Sequence, residues 1–254
     1  MRNYSISIIV AVYNEQDNVE PLTREIETAM GDHPRYEIIY VDDGSTDHTV
    51  AKLRALQTSI PQLRVVEHQN NFGQSAAIVT GAFAARNDWL VMLDGDGQND
   101  PADIPKLLAA LQQQQTGKPI LINGLRLNRQ DTWLRKLSSR IANGIRRSIL
   151  KDDCPDTGCS LKCISRQVFV RLPHFNHVHR FIPALVKRAG GKIIMIPVHH
   201  RPRLRGQAKY GVGNRLWVGI VDLIGMMWLV RRPCQPEILS NSDEINADAT
   251  TQNA

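Results

Sequence analysis

Aromatic residues, cysteines and long apolar runs are all scarce in this chain. Phe, Tyr and Trp make up 6% of the 254 residues and form no stripe among the arginines, which removes the stacking platform of a single-strand nucleic-acid binder. The four cysteines, at 154, 159, 163 and 234, do not form a secreted disulfide framework. Cys159 and Cys163 have the spacing to share a helix face, but no nearby histidine or further cysteine completes a zinc pattern. They read as small hydrophobes in a reducing compartment. The apolar start, Ile6 to Val12, is too short for a signal peptide and runs straight into Asn14-Glu15. No three-glycine dinucleotide fingerprint follows the first strand, and no Walker lysine loop occurs. A nucleotide bound here must be held by something other than a glycine-rich cradle.

What is present is a 42% hydrophobic chain with mixed charges, enough for a large core. The reading is one domain over residues 1–214, a helix at the membrane interface over 215–234, and a polar, disordered tail over 235–254. Formal charge is +6, and the surplus is unevenly placed. Arg126, Arg129, Arg135, Lys136, Arg140, Arg146 and Arg147 form one basic zone; Arg201, Arg203, Arg205, Lys209 and Arg215 form another. Two such zones require an anionic partner: a phosphate, an anionic lipid or a nucleic acid.

β-rich runs alternate with helical patterns along the first half. Strands are expected at Ser5 to Tyr13, Glu37 to Val41, Leu63 to Glu67 and Trp89 to Leu93, each followed by a helix. Alternation of this length predicts an α/β fold, a mostly parallel sheet with helices on both faces. In such sheets ligands bind outside the carboxyl ends of the strands. Here the four strand ends carry Glu15, Asp42-Asp43, Asn70-Asn71 and Asp94-x-Asp96, so one edge of the sheet outlines a polar cleft.

Asp94-Gly95-Asp96-Gly97-Gln98 is the most informative of these ends. Glycines on both sides of Asp96 let the backbone turn and hold two carboxylates toward one point. Hard oxygen ligands at this spacing suit Mg²⁺ or Mn²⁺ bridging to a phosphorylated substrate, with Gln98 as a third oxygen. Asp100-Pro101 reads as a cap and the first turn of a helix.

Further on, strands are expected at Pro119 to Asn123, around Leu161 to Ile164, and at Lys192 to Pro197, with a helix from about Arg180 to Ala189. From Asp131 to Leu150, apolar residues every three or four positions make an amphipathic helix, with arginines on much of the remaining surface. Arg135, Lys136, Arg146 and Arg147 read as its lipid-facing charges. His199 to Gly211 is too polar for a core and reads as a mobile loop, with His199 and His200 candidates to line the cleft.

The chain resembles family 2 glycosyltransferases, in the branch of dolichyl-phosphate mannosyltransferases and bacterial polyprenyl-phosphate sugar transferases. The resemblance rests on Val12-Tyr13-Asn14-Glu15, Val41-Asp42-Asp43-Gly44-Ser45-Thr46-Asp47, Asn71-Phe72-Gly73-Gln74-Ser75 and Asp94-Gly95-Asp96-Gly97-Gln98-Asn99-Asp100-Pro101. Asp156-Thr157-Gly158, His179-Arg180-Phe181-Ile182-Pro183 and Arg203 to Gly211 extend it, to about residue 230 in all. It implies the GT-A fold, a nucleoside diphosphate sugar donor with Mg²⁺ or Mn²⁺, and transfer of a mannose- or glucose-type hexose to a polyprenyl phosphate such as undecaprenyl or dolichyl phosphate.

By motif, Glu15 and Asp43 contact the nucleoside with Asp42 supporting their strand end, and Asp94, Asp96 and Gln98 hold metal and diphosphate. Arg126 and Arg140 match the arginines that receive the lipid phosphate; Arg203 and Lys209 match a basic loop that closes over the donor. Ala11 stands where many members have proline, Gly95 where alanine is common, and Ala208 where serine is frequent.

A phosphate acceptor makes sense of this inventory. A sugar hydroxyl needs a general base, whereas a phosphate monoester is already ionised near neutral pH and needs cations to hold it beside another anion. Direct attack inverts the anomeric centre, and no general base is assigned. Two alternatives stand: a family 2 enzyme acting on a glycan hydroxyl, and a non-enzymatic nucleic-acid binder. For Leu216 to Val230, fifteen residues span roughly 22 Å against a hydrocarbon core of ~30 Å, with Asp222 near the middle. Flanking arginines with Trp217 and Trp228 fit a helix lying in the headgroup region of an anionic membrane. Many members of the branch carry transmembrane helices beyond this point. The expectation here is a peripheral protein on the cytoplasmic face.

Overall fold

The structure, a computed structural model, describes residues 4–114, 117–127, 144, 146–203 and 215–232, with only the backbone of 215–217. Arg140, Lys209, most of the Asp131 to Leu150 helix and the tail from 233 lie outside the described residues, as does the side chain of Trp217.

Strands β1 (Ile6–Val12), β2 (Tyr36–Asp42), β3 (Leu63–Glu67) and β4 (Trp89–Asp94) alternate with helices α1 (Val19–Met30), α2 (Thr49–Gln57) and α3 (Gln74–Ala84). A 3₁₀ turn at Pro101–Asp103 then leads into α4 (Ile104–Gln112). Asp100 caps that turn by accepting from the Ala102 N–H at 3.0 Å, as its sequence position predicts. β5 (Ile120–Arg126), β6 (Lys162–Ser165), α5 (Arg166–Arg171), α6 (Ile182–Arg188), β7 (Lys192–Val198) and α7 (Arg215–Val230) follow. Residues 144 and 146–150 are helical. The short helix α5 is not foreshadowed by the hydrophobic pattern.

All seven strands form one sheet in the order β3-β2-β1-β4-β6-β5-β7. β1 pairs in parallel with β2 and β4, β2 with β3, and β5 with β7; β6 alone runs antiparallel, between β4 and β5. This is the mostly parallel α/β sheet that the alternation predicts.

The period of two along β1 divides the core. Ile6, Ile8, Val10 and Val12 face one layer, packed against apolar residues of α1, α2 and α4. Ile9 faces the other, against Ala77, Ile78 and Ala82 of α3, Phe169 of α5 and Ile182 and Leu185 of α6. With both faces covered, the open edge at the strand carboxyl ends is left for ligands.

Helix α7 divides its apolar surface. Met226 is buried and Leu223, Met227, Leu229 and Val230 pack on the second layer, while Ile220, Val221, Ile224 and Trp228 are exposed. Asp222 is paired with His177, Nδ1 to Oδ2 at 2.9 Å. Arg188 ties the helix end down by donating to the carbonyls of Leu229 (3.0 Å) and Arg232 (2.9 Å). Among the described residues no helix is long and apolar enough to cross a membrane.

Candidate active site

Register brings the polar strand ends level. Val12 of β1 lies beside Asp42 of β2, and Ala11 beside Asp94 of β4. Beyond β1, Asn14 adopts a left-handed backbone (φ 51°) and its side-chain oxygen accepts from the Thr46 N–H at 2.7 Å. This fastens the first turn to the second. Glu15 is buried there, its carboxylate held by the Asn18 side-chain amide at 2.6 Å.

The two aspartates ending β2 do different jobs. Asp42 accepts from the Ser45 N–H (2.9 Å) and supports the turn. Asp43 lines the cleft and accepts from the Phe72 N–H (2.9 Å), the Gly73 N–H (2.7 Å) and His68 Nδ1 (2.8 Å), so it fixes the loop entering α3. His68 is oriented from behind by Thr80 Oγ1 at 2.9 Å. Gly44 (φ +76°) lies so close to this loop that a Cβ would come 2.6 Å from the Asn70 carbonyl carbon.

Glu15, Asp43, Gln74, Asp94, Asp96 and Arg203 thus line one cleft of about 230 Å³, together with Ala11 to Tyr13. Asp94 accepts from the Gln74 side-chain amide, and its backbone N–H donates to Asn99 Oδ1 at 3.3 Å. Burial, with the charge of Asp96 close by, pushes the Asp94 carboxyl up to about 6. Asp96 accepts from the Gln98 N–H (3.0 Å) and from Arg203 Nη2 (2.5 Å). Gly95 has no room for a methyl side chain, because a Cβ would collide with Val12 Cγ1.

Gln98 does not line this cleft; its backbone carbonyl accepts from the Arg201 N–H at 2.9 Å instead. Residues 199–203 are anchored rather than loose. Arg201 pairs with Glu25 (2.8 Å) and Asp100 (2.6 Å), and His199 Nδ1 lies 3.2 Å from Asp103 Oδ1. Residues 204 to 211 of the expected mobile loop lie outside the described residues, and His199 and His200 are not among the cleft-lining residues.

A second chamber, of about 590 Å³, adjoins the first and shares Gln74 and Asp94 with it. Arg126, Asp156, Lys162, His179 and Arg180 line it. Arg126 at the end of β5 is clamped by Asp156, Nε to Oδ2 at 2.9 Å and Nη2 to Oδ1 at 2.7 Å. Burial disfavours the guanidinium charge, and the bond to Asp156 more than compensates. His179 Nδ1 lies 2.7 Å from Ser75 Oγ, and burial lowers its pKa to about 3, so the imidazole is neutral.

Arg146 is a correction. The amphipathic pattern reads it as lipid-facing, but it is buried, pairs with Asp152 (Nε to Oδ2, 3.1 Å) and donates to Thr157 Oγ1 and, at 2.5 Å, to the Cys154 carbonyl. It holds the 152–157 segment in shape. Cys154, Cys159 and Cys163 are buried free thiols, Cys154 raised to about 11 and Cys163 to about 12 by burial, as befits structural residues.

Sequence reasoning assigned no role to Gln74 or Lys162. Lys162 had a visible signal, a lone charge inside the apolar run Leu161 to Ile164. Gln74 stands between the two chambers, which only the packing of α3 on β1 and β2 reveals.

Residues 7–172, from β1 through α5, match the glycosyl transferase family 2 profile. The chain is 36% identical over 241 residues to a dodecaprenyl-phosphate galacturonate synthase of Rhizobium johnstonii, covering 93% of this chain and 70% of that protein. It is 35% identical over 209 residues to an undecaprenyl-phosphate 4-deoxy-4-formamido-L-arabinose transferase of Edwardsiella ictaluri, covering 82% of this chain but only 63% of that one. Its fold is similar to that of glucosyl-3-phosphoglycerate synthase from Mycobacterium tuberculosis, solved with Mn²⁺, UDP-glucose and glycerol 3-phosphate. That likeness has a TM-score of 0.65 at 20% identity, over 92% of this chain and 82% of that one. The acidic strand ends, the GT-A-like sheet and the profile match agree: this chain belongs to glycosyl transferase family 2.

Proposed function

We propose that the protein transfers a sugar from a nucleoside diphosphate sugar to a polyprenyl phosphate, inverting the anomeric centre. The observation that carries this reading is the pair of chambers meeting at Asp94 and Gln74, one acidic and one lined by cations. An attacking group in the second chamber faces a donor in the first across that shared boundary.

Asp94 and Asp96 suit Mg²⁺ or Mn²⁺. Among the described residues no group of three or more His, Cys, Asp or Glu is clustered for a metal. Two carboxylates are nonetheless what an ion completed by substrate phosphate oxygens and water requires. Bound there, the ion would supply positive charge to the departing diphosphate. Glu15 and Asp43, which line the cleft, are assigned the nucleoside, and Arg203, with Lys209 from outside the described residues, is assigned the diphosphate. Arg126 and, from outside the described residues, Arg140 hold the acceptor phosphate.

The chamber itself favours a phosphate over a glycan hydroxyl. A hydroxyl must lose a proton, yet His179, at about 3, is too weak a base, Asp156 is committed to Arg126, and Asp94, the remaining carboxylate of the chamber, is assigned here to the metal. An ionised phosphate needs no base.

The resemblance alone suggests a mannose or glucose donor, but the relatives' names give galacturonate and 4-deoxy-4-formamido-L-arabinose. The proposed donor class is therefore nucleoside diphosphate pyranoses at large, uronic and amino sugars included. The exposed face of α7, Ile220, Val221, Ile224 and Trp228 followed by exposed Arg231 and Arg232, fits the headgroup region of an anionic bilayer, where the acceptor resides. This surface is proposed to lie on the cytoplasmic side.

The test is a screen of the purified protein with undecaprenyl phosphate and Mg²⁺ or Mn²⁺ against UDP- and GDP-linked hexoses, UDP-galacturonate and UDP-linked amino sugars. The expected result is one donor giving a glycosyl phospholipid of inverted configuration. Transfer to glycan hydroxyls with none to the lipid would overturn the reading.

A further inference from the structure

Lys162 is a charged residue in an otherwise apolar place. It sits in the antiparallel strand β6, opposite Met92 of β4 and Asn123 of β5, and is 3% exposed. Its Nζ donates to the carbonyl of Thr157 at 3.2 Å and to that of Cys159. These bonds take two of three N–H donors, and the side chain lines the second chamber beside Asp94 and Arg126. Both partners are neutral. A glutamine amide would satisfy two carbonyls without bringing a charge out of water, a transfer that is costly when no anion is bonded to the group.

The surrounding charges do not remove this imbalance. Asp156 is engaged in the bidentate pair with Arg126. Asp94 accepts from Gln74, and under the reading above it also serves the donor cleft. Burial lowers the lysine's pKa, and Cys159, Cys154, Asp94 and Asp156, in that order, oppose the trend without reversing it. An anion entering the chamber would oppose it directly.

We propose that Lys162 is an acceptor-binding residue whose third N–H donates to a phosphate oxygen of the polyprenyl phosphate, at the inner wall of the chamber. The inference rests on the polyprenyl-phosphate reading and adds a residue to it. The ammonium and the Arg126 guanidinium then receive the phosphate from two sides, and the carbonyls of Thr157 and Cys159 keep the lysine from reaching across to Asp94. No bond is made or broken at Lys162; its role is to hold the nucleophile.

The experiment compares wild type, Lys162→Gln and Lys162→Arg in detergent, titrated with farnesyl phosphate and, separately, with farnesol. Lys162→Gln keeps donors for the two carbonyls and removes the charge. A purely structural staple survives that change; a phosphate ligand does not. Wild type is expected to prefer the phosphate over the alcohol. Lys162→Gln is expected to bind farnesyl phosphate roughly tenfold or more weakly with farnesol binding unchanged, and Lys162→Arg to recover most of the loss. Equal affinity of wild type and Lys162→Gln for farnesyl phosphate overturns the inference while leaving the acceptor reading intact. A wild type with no preference for the phosphate overturns the acceptor reading itself. Should Lys162→Gln fail to fold, a structure of wild type with farnesyl phosphate decides. A phosphate oxygen within about 3.2 Å of Nζ supports the role, and a phosphate seated elsewhere overturns it.

Discussion

Arg203 Nη2 lies 2.5 Å from Asp96 Oδ2, so the basic segment after β7 reaches back over the turn that ends β4. The same carboxylate is the candidate metal ligand. Under the proposed function, a divalent ion held by Asp96 would have to share that carboxylate with the Arg203 guanidinium. The backbone bond from Arg201 to the Gln98 carbonyl holds the segment in place.

Asp96→Asn keeps the shape of the turn but removes the charge that an ion requires. Transfer should fall by more than the roughly 10- to 100-fold that loss of an outer-shell partner costs, with little change in melting temperature. Turnover is measured across a Mg²⁺ and Mn²⁺ titration. Wild-type rates at all metal concentrations would remove Asp96 from the metal site.

His179 gives a stability signature. Its pKa is about 3 in the folded protein against a reference of 6.5, so between these values the unfolded chain binds the extra proton. Stability is fully present above pH 6.5 and is lost as pH falls toward 3. At pH 4.5 the loss from this group is roughly 3 kcal/mol. Urea unfolding of wild type and His179→Gln from pH 7 to 4.5 is the check; the variant should lose the part of the slope due to this residue. Parallel curves would mean that the imidazole titrates normally.

Arg146→Ala separates packing from lipid contact. Removing one partner of a buried ion pair costs roughly 3–5 kcal/mol, because Asp152 is left charged and buried. Chemical denaturation should show a loss of that order, while partition onto liposomes by the protein that remains folded stays as in wild type. Weaker liposome binding at unchanged stability would restore the surface role.

Ile224→Ser with Trp228→Ser tests the exposed face of α7. Both side chains point away from the core, at 60% and 61% exposure, so folding should be little affected. Flotation with anionic vesicles at low salt should show partition roughly tenfold or more weaker than wild type, and high salt should release part of the wild type. Equal flotation of variant and wild type would send the membrane contact elsewhere.

Local sequence carried much of this architecture. Strand and helix positions follow from period-2 and period-3.6 patterns, and β3 spans Leu63–Glu67 as its pattern predicts. Three of the four polar strand ends announced the cleft, because parallel strands bring their carboxyl ends to one edge, whereas Asn70 and Asn71 after β3 are not among its lining residues. Glu15, Asp43, Asp94 and Asp96 were readable for that reason. Tertiary structure decided what periodicity does not encode. The insertion of β6 antiparallel between β4 and β5 sets Lys162 beside Asp94, because strand order depends on long-range pairing. Arg146 had the pattern of a surface charge, yet the carbonyl and carboxylate that stabilise it underground belong to a loop folded over it. Hydropathy made α7 uniformly apolar around Asp222. Only its docking on α6 separates Met226, inside, from Ile224 and Trp228, outside, since one helix face can be satisfied by a neighbour that the local sequence does not name.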